Sequence, residues 1–326
     1  QRPGGADAAL ERAAVRGSGR AAGGRRAAAV ALALLTSGCA AAPEWQADLR
    51  SALAAARAHR QDLVVYFALR GREASDRMER SLQEPVVGQA LAAGGFAAVV
   101  ADGVAHRRLY GEWLGGSEGM GIAVLDAEGQ VYAVRPGPQD PPELAALLRR
   151  CAASRAALAT ARAAAAAPGA GAQESLALGG LLLELGCRRQ SEPLLLDAAL
   201  AGELAARHLL ARLHALDGNV VAAQRWLQGA PVTPATLVTE GYVRFKQRRH
   251  AEAVAAFERA LQQGGQFPDR QRALLYLGKA LHEQGDDRRA VPLLEALAAE
   301  GTGTTFEAGA AHTLSHLRDP QHGHTH

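Results

Sequence analysis

Lysine and aromatic residues are scarce in this chain of 326 residues. Only Lys246 and Lys279 are lysines among 36 basic side chains, and aromatics make up 4%. So strong an arginine skew, beside so much Ala and Gly, is better explained by GC-rich coding than by selection for phosphate binding. Residues 1–38 hold six arginines against Asp7 and Glu11, which leaves −1 of the chain's +3 for the remainder. The sequence therefore gives no electrostatic case for binding nucleic acid.

The amino-terminal apolar run is too short to cross a membrane. It covers residues 27–35, follows Arg25 and Arg26, and falls far below the ~20 residues that a spanning helix needs. A basic region, a short apolar core and small residues ahead of a cleavage point are typical of a secretory signal. We expect residues 1–38 to be a leader of this kind.

The end of this leader carries a cysteine in a distinctive context, Leu35-Thr36-Ser37-Gly38-Cys39. Small residues followed by cysteine resemble the lipobox of bacterial lipoproteins. The resemblance implies that Cys39 is acylated and anchors the protein to a membrane nearly permanently. Since Ala40 and not Asp follows, it further implies the outer membrane, facing the periplasm. An ordinary signal peptide that leaves Cys39 free is the alternative.

Cysteine is absent from the stretch around which the chain is organised. Residues 63–68 predict a buried strand, followed by a turn and a helix from about Glu73. Further strands are expected at 96–101, 121–125 and 130–135, with helices at 45–59, 106–114 and from 141, the last extended by the alanine-rich residues 152–167. Residues Val64–Phe67, Met78-Glu79 and Val99–Asp102 in this order resemble the thioredoxin fold, over residues 44–150.

The resemblance also shows what this domain lacks. Arg72 and Ser75 stand where the family has its Cys-x-x-Cys, and Met120 or Gly121 stands where it has a cis-proline. Thiol–disulfide exchange needs a thiolate, which neither Arg72 nor Ser75 supplies. The sequence therefore argues against thioredoxin-type chemistry, and we expect no catalytic residue and no cofactor.

The carboxy-terminal half contains internal repeats. After a helix extension and linker at 151–173, residues 174–317 show no strand pattern. Residues 237–261 and 274–297 align, with Gly241 matching Gly278 and Ala253 matching Ala290 at a spacing of 37. Two more degenerate copies precede them, and the turns fall at 186, 218, 248 and 285. The pattern resembles the tetratricopeptide repeat. The predicted fold class is therefore an α/β thioredoxin-like domain followed by an all-α solenoid of four helical hairpins.

Stacked hairpins of this type curve around a groove that binds peptide or protein segments. By resemblance, the positions facing the groove are Val238, Tyr242, Phe245, Lys246, Leu275, Lys279 and His282. For Phe245 and Leu275, packing against the neighbouring repeat is an equally supported interpretation.

Two cysteines and five histidines leave alternatives open. Cys151 and Cys187 either pair as a disulfide across the linker or are small buried residues, with burial favoured. The histidines have spacings that can bind Zn, Ni or Cu, but no cysteine or carboxylate completes a rigid site. We therefore favour a solvated histidine-rich tail over residues 318–326. The metal candidates are His312, His316, His322, His324 and His326.

The leading hypothesis is a non-catalytic, membrane-anchored periplasmic adaptor that binds another protein through the repeat groove. One rival is a redox or metal-handling protein that uses Cys151, Cys187 or the histidine tail. The other is a purely structural protein of the cell envelope.

Overall fold

The structure is a computed structural model that describes residues 45–318, apart from residue 47, residues 116–118 and residues 264–266. The leader, Cys39 and the histidines of the tail lie outside these residues. In the described part, no helix is long and apolar enough to cross a membrane.

A mixed four-stranded sheet forms the amino-terminal part. Its strands are β1 (Leu63–Ala68), β2 (Ala97–Asp102), β3 (Gly121–Leu125) and β4 (Val131–Pro136), in the spatial order β2-β1-β3-β4. Strand β1 runs parallel to β2 and antiparallel to β3, and β3 runs antiparallel to β4. All six residues of β1 are buried, as a continuous apolar run in a central strand requires. The predicted strands are confirmed, two of them shifted by one residue.

Five helices accompany the sheet. They are α1 (Leu49–His59), α2 (Glu73–Leu82), α3 (Pro85–Gly94), α4 (Arg107–Trp113) and α5 (Pro141–Ala166). The Asp48 carboxylate caps α1 by accepting a hydrogen bond from the Ser51 amide at 2.8 Å. Met78, Leu82 and Val86 have the spacing of one helical face, but the structure divides them between α2 and α3. Pro85 begins α3, because proline lacks an amide hydrogen and is favoured in the first turn of a helix.

Nine further helices follow in the described residues, and the first eight pair into four hairpins. The hairpins are α6 (Ala172–Glu184) with α7 (Arg188–Leu200), α8 (Ala205–Leu216) with α9 (Val220–Leu227), α10 (Pro234–Lys246) with α11 (His250–Gln262), and α12 (Arg270–Glu283) with α13 (Asp287–Ala298). Helix α14 (Thr305–Arg318) packs against α12 and α13 and closes the stack.

The four hairpins share one geometry in spite of their uneven spacing. Each turn has a residue of positive φ at a predicted turn position: Gly186, Gly218, Arg248 and Gly285. Small residues lie where the paired helices cross, as expected from the repeat. In the first helix of each pair these are Gly179, Ala211, Gly241 and Gly278, and in the second they are Ser191, Ala223, Ala253 and Ala290.

The sheet and the first hairpin share one hydrophobic core. The cluster that contains β1 also contains Leu182, Leu185 and Cys187 of the first hairpin. The Val134 amide of β4 donates to the carbonyl of Leu185 at 3.0 Å. The described residues thus belong to one compact unit, and the domain boundaries given above stay predictions.

Candidate functional site

The turn that lacks cysteines is tied to the sheet by Ser75. This side chain is fully buried, and its hydroxyl lies 2.8 Å from the Tyr66 hydroxyl. The same oxygen accepts a hydrogen bond from the Leu69 amide at 3.0 Å, while Arg72 is exposed. Burial is also the main cause of a raised pKa at Tyr66. Ser75 therefore joins β1 to the first turn of α2.

The place expected for a cis-proline is tightly packed. Met120 is buried, and its carbonyl accepts a hydrogen bond from the Gly137 amide at 2.9 Å. A Cβ on Gly121 would lie 2.4 Å from Leu114 Cδ2 and 2.6 Å from the carbonyl oxygen of Arg135. The close approach of β3 to these neighbours thus requires glycine.

The predicted groove residues fall into two groups. Val238 is fully buried in the core around α10 and α11, and Leu275 packs against α13 and α14. Both are core residues of the repeats in this structure. Tyr242 is also largely buried, whereas Lys246 is exposed and the remaining three are partly exposed: Phe245, Lys279 and His282.

Helices α10 and α12 bring aromatic rings and both lysines of the chain together. The rings of Tyr242 and Tyr276 have centroids 4.8 Å apart, and Phe245 lies 5.7 Å from Tyr276. Lys246 Nζ and Lys279 Nζ each lie 5.7 Å from a tyrosine ring centroid, those of Tyr242 and Tyr276 respectively. These five residues are called the lysine–tyrosine patch below.

Lys279 at the edge of this patch has a pKa that its surroundings shift. Burial lowers the pKa of Lys279; Glu143 on α5 opposes the effect and Lys246 adds to it. His282 is engaged separately, because its Nδ1 lies 2.7 Å from Asp287 Oδ1. The lysine–tyrosine patch therefore offers positive charge and aromatic surface side by side.

Beside the patch is a cavity of about 330 Å³ that the two parts of the chain enclose together. Strand β4, helix α5, the first hairpin and helices α8, α10 and α12 all contribute to its wall. Tyr242, Tyr276 and Phe306 supply its aromatic surface. Its basic residues are Arg135, Arg150, Arg188, Arg212 and Arg272. This space is called the arginine cavity below.

Glu184 at the end of α6 is the carboxylate at the centre of these arginines. Its oxygens lie 2.8 Å from Arg150 Nη2, 2.6 Å from Arg212 Nη2 and 2.6 Å from Arg272 Nη2. Burial alone would raise the pKa of Glu184, but the three guanidinium groups outweigh it and hold this pKa far below its usual value. Glu184 thus stays ionised and links helices α5, α6, α8 and α12.

The arginines of the cavity were not predicted from the sequence. Arg150 and Arg272 are 34 and 88 residues away from Glu184, so no local spacing indicates that they meet. Arginine is also the commonest basic residue in this chain, which hides any functional cluster among ordinary surface charges. The one sequence signal for this cluster is Glu184 itself, an acidic residue at the end of the apolar helix α6.

A larger cleft of about 1120 Å³ lies between the β3–β4 hairpin, α5 and the first helical hairpin. Arg155 Nε donates to Asp62 Oδ2 at 2.6 Å, and Arg162 pairs with Asp126. Tyr132 donates to the same Asp62 oxygen at 2.5 Å. These contacts tie α5 to the sheet.

Cys151 and Cys187 are both free and buried, so the disulfide that the sequence left open is not formed. Burial raises the pKa of each thiol to about 12. A thiol with so high a pKa holds almost no nucleophilic thiolate at neutral pH.

His312 and His316 lie on one face of α14 with their Nε2 atoms 3.0 Å apart. His312 also pairs with Asp140 through Nδ1. Among the described residues, no group of three or more potential metal ligands is assembled. The other three candidates lie in the tail, which the structure does not describe.

Comparison with known proteins identifies part of the helical region. A tetratricopeptide-repeat family model matches residues 238–303, which contain most of α10 and all of α11 to α13. No curated protein matches the chain. The third and fourth hairpins are therefore tetratricopeptide-type repeats, and this module indicates a role in protein–protein interaction.

Proposed function

We propose that the protein is a non-catalytic adaptor of the bacterial cell envelope, anchored through Cys39 and facing the periplasm. In this proposal its repeats bind a partner protein, and the amino-terminal part is a thioredoxin-like scaffold. The tetratricopeptide match over residues 238–303 is the observation that carries the proposal.

The strand arrangement supports the scaffold assignment. The sheet has the order β2-β1-β3-β4 with β1 and β2 as its one parallel pair of neighbours, which fits the order of strands and helices that carries the thioredoxin resemblance. At the turn where the family carries its thiols, the buried Ser75 hydroxyl holds backbone and Tyr66 in place. The high thiol pKa values of Cys151 and Cys187 favour the adaptor over a redox protein.

The lysine–tyrosine patch is the proposed contact surface. Aromatic residues are enriched where partner proteins bind, and lysine adds charge complementarity to an acidic segment. The patch contributes Phe245, Lys246 and Lys279 of the predicted groove to this surface. Tyr242, Val238 and Leu275 would act by holding α10 and α12 in place, because all three are buried.

The scarcity of lysine gives this proposal a selective test. An amine-reactive cross-linker can react on residues 40–326 only at Lys246 and Lys279, since these are the chain's only lysines. We expect such a reagent, applied to intact envelopes, to join the protein to one enriched partner through these two residues. Mass spectrometry of the linked peptides identifies both the site and the partner.

A charge-preserving double variant, Lys246→Arg with Lys279→Arg, is the matched control. It should lose the amine cross-link yet still capture the same partner in an affinity pull-down, because arginine keeps the positive charge. Replacing both lysines by glutamate should abolish the capture. Capture that survives the glutamate variant would show that the partner binds elsewhere, and no enriched partner at all would refute the adaptor function.

A further inference from the structure

The arginine cavity holds more positive charge than its carboxylates neutralise. Five guanidinium groups line it, and among the described residues three carboxylates pair with them: Glu184, Asp269 and Asp217. Within this part of the chain, two positive charges therefore remain in excess. Uncompensated charge in a partly desolvated space is costly, and an anion from solution relieves that cost.

Arg135 is the clearest member of this excess. Among the described residues, the guanidinium of Arg135 donates one hydrogen bond, to the neighbouring carbonyl of Val134 at 3.0 Å. The same part of the chain gives it no carboxylate partner. Burial, and next the charge of Arg150, lower its pKa. Arginine nevertheless remains protonated in proteins, so this charge has no carboxylate partner among the residues that the structure describes.

Arg212 is a firmly held part of the cavity wall. Its side chain is only 4% exposed and is held by Asp269 at 3.0 Å and by Glu184. Its positive charge is therefore fixed in place at the cavity.

We propose that the arginine cavity binds a small oxyanion, a polycarboxylate or a phosphate, between β4 and the inner helices of the repeats. Guanidinium groups bind carboxylate and phosphate oxygens in paired, charge-assisted hydrogen bonds. The volume of about 330 Å³ lies at the small end of ligand cavities, which suits a compact anion better than a peptide. The bound anion bridges β4 and α5 to the repeats. The cavity shares Tyr242 and Tyr276 with the lysine–tyrosine patch, but its arginines lie outside that patch.

Thermal unfolding of the purified protein tests the proposal. Sodium citrate and sodium phosphate, each at low millimolar concentration, are compared with sodium chloride at equal ionic strength. The anion that fits should raise Tm in step with the logarithm of its concentration, by roughly 5 °C at about 100 times its Kd, whereas chloride should not. Citrate and phosphate tested separately tell a carboxylate site from a phosphate site.

Variants locate the effect. Arg135→Gln should weaken binding at least tenfold in calorimetry and reduce the Tm shift accordingly, whereas Arg108→Gln, an exposed position on α4, should change neither. If Arg135→Gln fails to fold, Arg188→Gln at the half-buried edge of the cavity takes its place. A shift that is equal in both variants, or matched by chloride, would overturn the proposal. So would stabilisation by a tetraglutamate peptide but by neither small anion.

Discussion

At the level of single residues, the four hairpin turns share a backbone conformation but not a residue type. Three have glycine at the position of positive φ, and the third hairpin has Arg248 at φ 61°. A side chain in this left-handed region is strained, because its Cβ crowds the following carbonyl. We predict that Arg248→Gly raises the free energy of unfolding by about 0.5–1 kcal/mol, read from the midpoint of urea unfolding.

Gly285→Ala is the converse test, at the equivalent turn of the fourth hairpin. A Cβ on Gly285 meets nothing within 4 Å, so only the backbone is affected. We expect this change to lower the stability by about 1 kcal/mol. Equal stability of both variants and the original protein would mean that these turns do not contribute strain.

The helix crossings give a second prediction, because glycine there is required by packing. A Cβ on Gly241 would lie 2.7 Å from the Phe257 ring, which is fully buried and cannot move away. Overpacking outweighs the gain in helix propensity, so Gly241→Ala should destabilise the protein by about 1–2 kcal/mol.

Gly180, one residue beyond the crossing glycine of the first hairpin, is the matched control. Its nearest neighbour would be Leu209 Cδ1 at 3.4 Å, an ordinary contact. Gly180→Ala should therefore stabilise α6 by about 0.5–1 kcal/mol. Urea midpoints of the two variants should move in opposite directions. A shift of the same sign would contradict the crossing geometry.

These residue roles could be predicted because they repeat along the chain. The match of Gly241 with Gly278 and the turns at 248 and 285 follow from the alignment of the last two hairpins, and the turns at 186 and 218 follow from the two degenerate copies. Arg135 and Arg212 could not be predicted, because their surroundings are formed by elements distant in sequence. Val238 and Leu275 show the same limit, since repeat register places both on inner helices but does not decide their burial.

At the level of helices, the Glu184 carboxylate connects four of them. Removing its charge leaves Arg150, Arg212 and Arg272 facing each other in a space with little water. We predict that Glu184→Gln lowers the free energy of unfolding at pH 7 by about 2–4 kcal/mol. The lower value applies if solvent screens the charges, because the Glu184 side chain is 23% exposed. Glu283→Gln, an exposed carboxylate at the end of α12, should stay within about 0.5 kcal/mol of the original protein.

The same carboxylate predicts a dependence on pH. The folded pKa of Glu184 lies below its ordinary value of 4.5. The contribution of its charge is therefore complete above about pH 4.5 and is lost as pH falls towards the folded pKa. The stability gap between the original protein and Glu184→Gln should be constant from pH 7 to 5 and shrink below 4.5. Urea midpoints at pH 7, 5, 4 and 3.5 measure it, and a gap still unchanged at pH 3.5 would contradict the assignment.

Helices and strands that have a local sequence signal lie where the sequence predicts them. The contacts between these elements cannot be predicted from the sequence. Strand β1 and the start of helix α2 lie where the sequence predicts them, because an apolar run and a first turn that contains Glu73 and Asp76 act locally. The packing of β4 against the turn of the first hairpin depends on Gly186. A Cβ there would lie 2.4 Å from the Val134 carbonyl oxygen, a contact that no pattern in the sequence reveals.

At the level of the whole molecule, the shared core decides whether the sheet and the repeats unfold together. Cys151 on α5 and Cys187 in the turn of the first hairpin both belong to this core and are buried. If the core is cooperative, the two thiols become reactive in one transition, although the sequence predicts a domain boundary between them. We predict that both react with a thiol reagent only at urea concentrations that remove the helical circular dichroism signal.

The measurement uses a Cys39→Ala protein in which Cys151 or Cys187 is also replaced by Ala, so that each sample has one thiol. Both samples should show the same labelling midpoint relative to their own unfolding curves, because opening the shared core exposes each side chain. Earlier labelling of Cys187 alone would show that the repeats separate from the sheet before the sheet unfolds. The linker predicted at residues 151–173 would then act as a true domain boundary, and the arginine cavity would open with it.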